Sequence, residues 1–146
     1  MFEGSEEIKI GKTQIFQKNI TKDDTAFKYG TGVHKNLLST PILVAFMIEA
    51  TTKMIDPILP KWFVTVGKNI SVEHHAPTAV GVTVTVEAVL TGMSGNHLTF
   101  SIKVYDELGI VAAGIHERYI VNYDHFMNNV EKRCDFFSVE KLRVDL

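Results

Sequence analysis

The chain has 146 residues and a formal charge of −2, from 15 basic and 17 acidic residues interspersed along it. That length suits a single domain, 1–146, burying roughly two-thirds of the surface its unfolded chain exposes, and the charge offers neither a basic stripe for a phosphate backbone nor an acidic tail, so nucleic acid is not an expected partner. No apolar run reaches the ~20 residues that span a bilayer, the acidic start is no secretory signal, and the lone Cys134 makes no internal disulfide; the expected setting is cytoplasmic, with no membrane partner.

In chain order, residues 7–16 alternate Ile8 and Ile10 with polar neighbours, break at Gly11, and predict a first strand. Residues 17–35 are polar and punctuated by Gly30 and Gly32, so they read as a loop or short helix lying over something else. The segment 38–57 organises the rest. Ser39 or Thr40 can cap a helix there, and Pro41 suits its first position because it has no amide proton to lose. Asp56 ends it, since the residue before Pro57 is pushed out of the helical region. Residues 42–48 leave no polar face, which predicts a helix with protein on every side. Glu49 is the carboxylate placed in it. An unpaired buried charge costs several kcal/mol, so Glu49 should find a partner, reach an open cleft or have a raised pKa.

Residues 62–74 are rich in β-branched and aromatic side chains and predict a long strand, with Gly67 as a bulge or close-approach point. After the turn 76–81, residues 82–88 give the clearest period-two alternation, valine on one face and polar groups on the other. The loops 92–96 and 106–109 return the chain to 98–104 and then to 110–121. Turns this short make no crossovers, so four long strands are expected as antiparallel neighbours. Residues 124–132 predict a short helix, and the tail 133–146, with Phe136, Phe137, Leu142 and Val144, has the apolar residues to pack on its own subunit or a partner. The class is α+β, an antiparallel sheet of about five strands wrapped round one long buried helix, with its core at 7–130 and a C-terminal extension at 131–146.

This order of elements, with Leu38-Ser39-Thr40-Pro41, Thr65-Val66-Gly67, His74 with Ala76-Pro77-Thr78 and Gly81, and Gly114-Ile115-His116-Glu117-Arg118, resembles the hotdog-fold thioesterases related to fluoroacetyl-CoA thioesterase. The resemblance runs over roughly residues 25–130. It implies an acyl-CoA thioesterase acting on a small or medium acyl group, with coenzyme A arriving as part of the substrate and no separate cofactor. It also implies a homodimer whose active site lies where one subunit's helix start meets the other's sheet; unpaired sheet edges point the same way.

In that family a threonine, a glutamate and a histidine carry the chemistry. Thr40 matches the threonine, at a helix start where amide protons and the dipole favour developing negative charge, although capping alone would explain it. His74 matches the histidine by its spacing to Gly81. Adjacent strand residues face opposite sides, so His74 and His75 are not expected at one pocket or on one metal ion, and no metal site is expected. Gly67 matches a glycine close to substrate, with a plain β-bulge as its alternative. The glutamate position falls on Ile48, and one helical step to Glu49 turns the side chain by about 100°. Either Glu49 serves through a small helix shift, or it makes a structural pair, for which Arg118 is the expected partner. Arg118, Glu117 and His116 could equally form an ion-pair cluster.

Where the family's fluoroacetyl enzyme covers its acyl group with two phenylalanines, this chain has Thr31 and His34, so fluoroacetyl selectivity is not expected. The expected catalytic residues are thus Thr40, His74 and Glu49, and the expected substrate contacts Gly67, His34 and Arg118. The alternative is a non-catalytic acyl-CoA or small-metabolite binding protein that has lost its carboxylate, which Ile48 favours. A dehydratase-like enzyme using His74 as base lacks a matching acid. Fold alone does not choose among these, and Cys134 has no base at a readable spacing.

Overall fold

The computed structural model describes residues 5–144, with side chains from 6 to 137. Its strands are β1 (Thr13–Asn19), β2 (Phe63–His74), β3 (Thr83–Ser94), β4 (His97–Asp106) and β5 (Gly109–Asn122). They form one antiparallel sheet in the order β1-β3-β4-β5-β2, with helix α1 (Thr40–Ile55) across one face and helix α2 (Tyr123–Val144) after β5. The α+β expectation of five strands around a long helix is what forms.

The core follows from two periodicities. On β3, Val84, Val86, Ala88 and Leu90 alternate inward, and Leu98, Phe100, Ile102 and Val104 do so on β4; all are inaccessible to solvent. Against them α1 lays Leu43, Phe46, Met47, Ala50 and Met54, spaced as one helical face. The helix is not surrounded, however. Pro41, Ala45 and Lys53 are exposed and Ile48 is half-buried, so the expected all-round burial is replaced by one packed face and one bare, largely apolar one.

Two other expectations change. The first strand begins six residues late, because Gly11 takes φ +93° and turns the chain before the ladder to β3 opens with Gly11 N–H on the Leu90 carbonyl. Ile8 then belongs to the core, and Ile10 stands in solvent. The hairpins β3-β4-β5 are as expected, but β2 does not neighbour β3. It pairs with β5 at the far edge, and the connection after it crosses the sheet end, held by a Leu37–Ala79 bridge and by Leu38 N–H on the Thr78 carbonyl at 2.8 Å. β1 and β2 are therefore the sheet's two edges.

The short C-terminal helix proves long, and Phe136 and Phe137 on it are exposed on the single chain, not packed on their own subunit. The side chains of Leu142 and Val144 lie outside the described residues. Among the described residues no helix is long and apolar enough to cross a membrane.

Gly114 of β5 lies where the tip of Met47 from α1 and the backbone of β2 both come close. A Cβ at Gly114 would collide with the Ser71 carbonyl oxygen and come within 2.5 Å of Met47 Cε. Gly114→Ala should therefore lower the unfolding free energy by about 1–3 kcal/mol, the usual cost of overpacking, seen as a lower urea midpoint. Unchanged stability would show that the Ser71 backbone and the Met47 side chain both yield without penalty.

Candidate active site

The start of α1 settles which residue caps it. Ser39 is extended (φ −80°, ψ 150°), and its Oγ accepts from Ile42 N–H at 3.4 Å while its carbonyl accepts from Leu43 N–H at 3.0 Å. Thr40 is thus the first helical residue and Pro41 the second, one place later than expected. Freed from capping, Thr40 Oγ1 lies 2.8 Å from His74 Nε2. Pro41 has no amide proton and the next two are taken, so among the described residues the Thr40 amide is the donor left unclaimed in this first turn.

His74 is the last residue of β2, and the strand stops because the chain bends there. His75 N–H (2.7 Å) and Ala76 N–H (3.1 Å) both donate to the Val111 carbonyl, which breaks the ladder's alternation. His75 therefore shares the cavity with His74, contrary to the opposite-face expectation. Its Nε2 sits 3.7 Å from a Glu73 carboxylate oxygen.

The cavity encloses about 440 Å³, a size usual for small-molecule sites. Leu38, Leu43, Val111 and Ala112 give it apolar walls, and Thr40, His34, His74 and His75 supply its polar groups. One wall is the segment before α1, tied down by Ala26 N–H on the Leu37 carbonyl (3.0 Å) and Ser39 N–H on the Asp24 carbonyl (2.9 Å). A hydroxyl, an imidazole and a positive helix end beside apolar walls suit an acyl group whose carbonyl oxygen gains charge as it reacts.

The other expected residues lie elsewhere. Glu49 faces β1, with Lys53 Nζ at 2.8 Å and Lys18 Nζ at 3.4 Å. The Lys53 hydrogen bond, with Lys18 adding to it, holds the carboxyl below its usual range against the opposing effect of burial. Nine residues along the helix, about 13.5 Å, separate Glu49 from Thr40, and neither Glu49 nor Ile48 lines the cavity.

Arg118 is not the partner of Glu49. It is buried at the opposite end of α1, where Nε (2.9 Å) and Nη2 (2.9 Å) donate to Thr65 Oγ1 and its carbonyl, and Nη1 donates to His116 Nε2 at 3.1 Å. Thr65 Oγ1 in turn donates to Asp56 Oδ1 at 2.6 Å. Because His116 Nε2 accepts, Nδ1 carries the proton and donates to the Asn69 carbonyl at 2.8 Å. Burial above all, with the Arg118 charge adding, pushes the His116 pKa down. The expected His116-Glu117-Arg118 cluster is split by strand alternation: Glu117 lies on the other face, 3.8 Å from Lys68 and 3.5 Å from His97.

Gly67 sits at the β2 bulge over this network, where a Cβ would lie 3.5 Å from Arg118 Nη1. Seven residues of strand, roughly 23 Å, separate it from His74, so within one chain Gly67 and Arg118 stand apart from the Thr40–His74 pair. His34 is on the cavity wall. Sequence reasoning missed the Asp56-Thr65-Arg118 connection, whose only signal was the polar Thr65 at an inward strand position. It also missed His75, which no periodicity could place. Among the described residues no cluster of three or more His, Cys, Asp or Glu could hold a metal ion.

Residues 20–124 match the family described as fluoroacetyl-CoA-specific thioesterase. A fluoroacetyl-CoA thioesterase from Streptantibioticus cattleyicolor is 29% identical over 97 residues, 66% of this chain and 70% of that protein. Among solved structures, a hot-dog-like protein from Thermanaerovibrio acidaminovorans superposes with a TM-score of 0.85 at 27% identity, covering 90% of this chain and 97% of the other. A thioesterase superfamily member from Thermus thermophilus does so with a TM-score of 0.84 at 22% identity, over 90% and 97% of the two chains.

The ion pairs of Glu49 make a pH-dependent contribution to stability. Its folded pKa is depressed, so the contribution is fully present above the ordinary value of 4.5 and is lost as pH falls through the folded value. Glu49→Gln should cost at most about 1 kcal/mol at pH 7, since Lys53 is exposed and Lys18 and Glu49 are each only partly buried. Urea unfolding of the two proteins should converge in acid below that window. A gap that persists there would mean that Glu49 acts through packing and not through charge.

Proposed function

Because the chain belongs to the fluoroacetyl-CoA-specific thioesterase family, we propose that it hydrolyses acyl-CoA thioesters with a small or medium acyl group, using Thr40 and His74. The observation that carries this reading is the 2.8 Å contact between Thr40 Oγ1 and His74 Nε2 at the start of α1, on the wall of an apolar cavity. In the free protein the Thr40 hydroxyl donates to His74 Nε2; a bound thioester's carbonyl oxygen takes over that hydroxyl, with the Thr40 amide as second donor where the helix end favours negative charge, and so frees Nε2. His74 Nε2 accepts a proton from water as that water's oxygen bonds to the carbonyl carbon. The tetrahedral intermediate then collapses, the C–S bond breaks, and the proton passes from His74 to the departing coenzyme A thiolate. A carboxylic acid and free thiol result.

The functional unit in this reading is a homodimer. The outer edge of β2 is unpaired, and the bare face of α1 is an apolar stripe through Pro41, Ala45 and Ile48. Antiparallel pairing of two β2 edges carries the Gly67 half of one strand toward the His74 end of the other, which is how Gly67 could approach a bound thioester. A coenzyme A ester as substrate and a single cysteine in the sequence accord with a cytoplasmic setting.

A second reading, an acyl-CoA binding protein without turnover, is favoured by one observation. By the sequence resemblance the family's glutamate position falls on Ile48, and Glu49 is committed to Lys18 and Lys53.

Free-thiol detection over acyl-CoAs of graded chain length separates the two. Hydrolysis of at least one ester, reduced about 100-fold or more in His74→Ala, is expected. Binding of acyl-CoA with no thiol release by the parent protein would instead establish the second reading. Sedimentation should give twice the 16.4 kDa chain mass; a monomer at micromolar concentration would remove any shared site.

A further inference from the structure

We propose that a second cleft, on the other side of the wall that closes the catalytic cavity, binds the 3′-phosphoadenosine diphosphate end of coenzyme A; this rests on the acyl-CoA reading above. The cleft has a volume of about 550 Å³, and its lining includes Lys22, Lys28, Lys35, Asp23, Phe27 and Asn36. Three lysines line it. Asp23 answers only Lys28, at 3.7 Å, while Lys22 and Lys35 have no ion-pair partner among the described residues. Phe27 is 65% exposed beside them, with no ring stacked on it among the described residues.

Uncompensated like charges repel, and a bare aromatic ring leaves apolar surface in water, so the cleft is poorly satisfied as it stands. A ligand with several phosphate charges and a purine base meets both needs, lysines to phosphates and ring to base. The nucleotide end of coenzyme A has that composition, with a pyrophosphate, a 3′-phosphate and adenine.

Placement ties this cleft to the catalytic cavity. Ala26, His34 and Leu37 line the cavity, and their immediate neighbours Phe27, Lys35 and Asn36 line the cleft. One stretch of chain is therefore a wall common to both. A thioester whose acyl group enters beside Thr40 can pass its pantetheine arm over this wall and set its phosphates among the lysines. The wall is firm at both ends: Thr25 pairs with Leu38, and the turn at Lys22–Asp24 is closed by Thr21 N–H on Asp24 Oδ2 at 2.9 Å.

The test needs no turnover. Calorimetric titration of the full chain with adenosine 3′,5′-bisphosphate should show binding, weakened at least tenfold in the Lys22→Ala/Lys35→Ala variant, whose changed side chains are exposed. 5′-AMP should bind more weakly than the bisphosphate. Undiminished binding by the variant would overturn the assignment, as would inorganic phosphate competing as well as the nucleotide. If the protein hydrolyses thioesters, the same variant should lower kcat/KM for acyl-CoA at least tenfold relative to acyl-pantetheine, which lacks the nucleotide. An equal fall for both substrates would place the lysines' effect elsewhere. A protein that binds the bisphosphate but releases no thiol would refute the hydrolytic reading and leave this site standing.

Discussion

The seat of α1 on the sheet is the constraint on which the rest depends. The helix's apolar face, Leu43, Phe46, Met47, Ala50 and Met54, is buried in one core with the inward side chains of β3 and β4, and the tip of Met47 reaches Gly114 of β5. Both ends of the helix are then placed by the sheet. Its first turn meets the end of β2 at Thr40 and His74, and its last residues meet the start of β2 through Asp56 and Thr65. Helix and strand run antiparallel over the same length, which is why one end can be chemical and the other structural.

At the structural end a buried guanidinium is satisfied without a direct carboxylate partner. Thr65 relays between Asp56 and Arg118, and His116, kept neutral by burial, accepts one arm of the fork. Breaking such a chain leaves a charge buried and unpaired, a far larger cost than the surface pairs of Glu49 could impose. Glu49 and Arg118, the two most conspicuous charges in the sequence, therefore differ in kind. Glu49 fastens the helix to β1 near the surface, and Arg118 fixes its end from within.

Much of this was legible in the residues. Valine alternation gave β3, glycine-marked turns gave the hairpins, and Ser-Thr-Pro followed by an apolar run gave α1 to within a residue or two. What failed shares one cause, that local pattern does not encode partners. The apolar circumference of α1 looked like burial in one chain, yet one face is bare. The four long strands looked sequentially adjacent, but β2 crosses to the far edge because its connection is bound to the segment before α1. Ser39 and Thr40 were indistinguishable as caps until hydrogen bonds assigned one to the helix and released the other.

Whether the released hydroxyl and His74 work as one unit is the central question, and a double-mutant cycle on hydrolysis answers it most directly. Thr40→Val, His74→Ala and the double variant would be compared by kcat/KM on the best acyl-CoA substrate. If the pair is the hydrolytic centre, either single change already disables it, and the double variant should be no slower than the worse single one within a few fold. Losses that simply multiply would mean that the two residues act independently, and the 2.8 Å contact between them would then not be the hydrolytic centre.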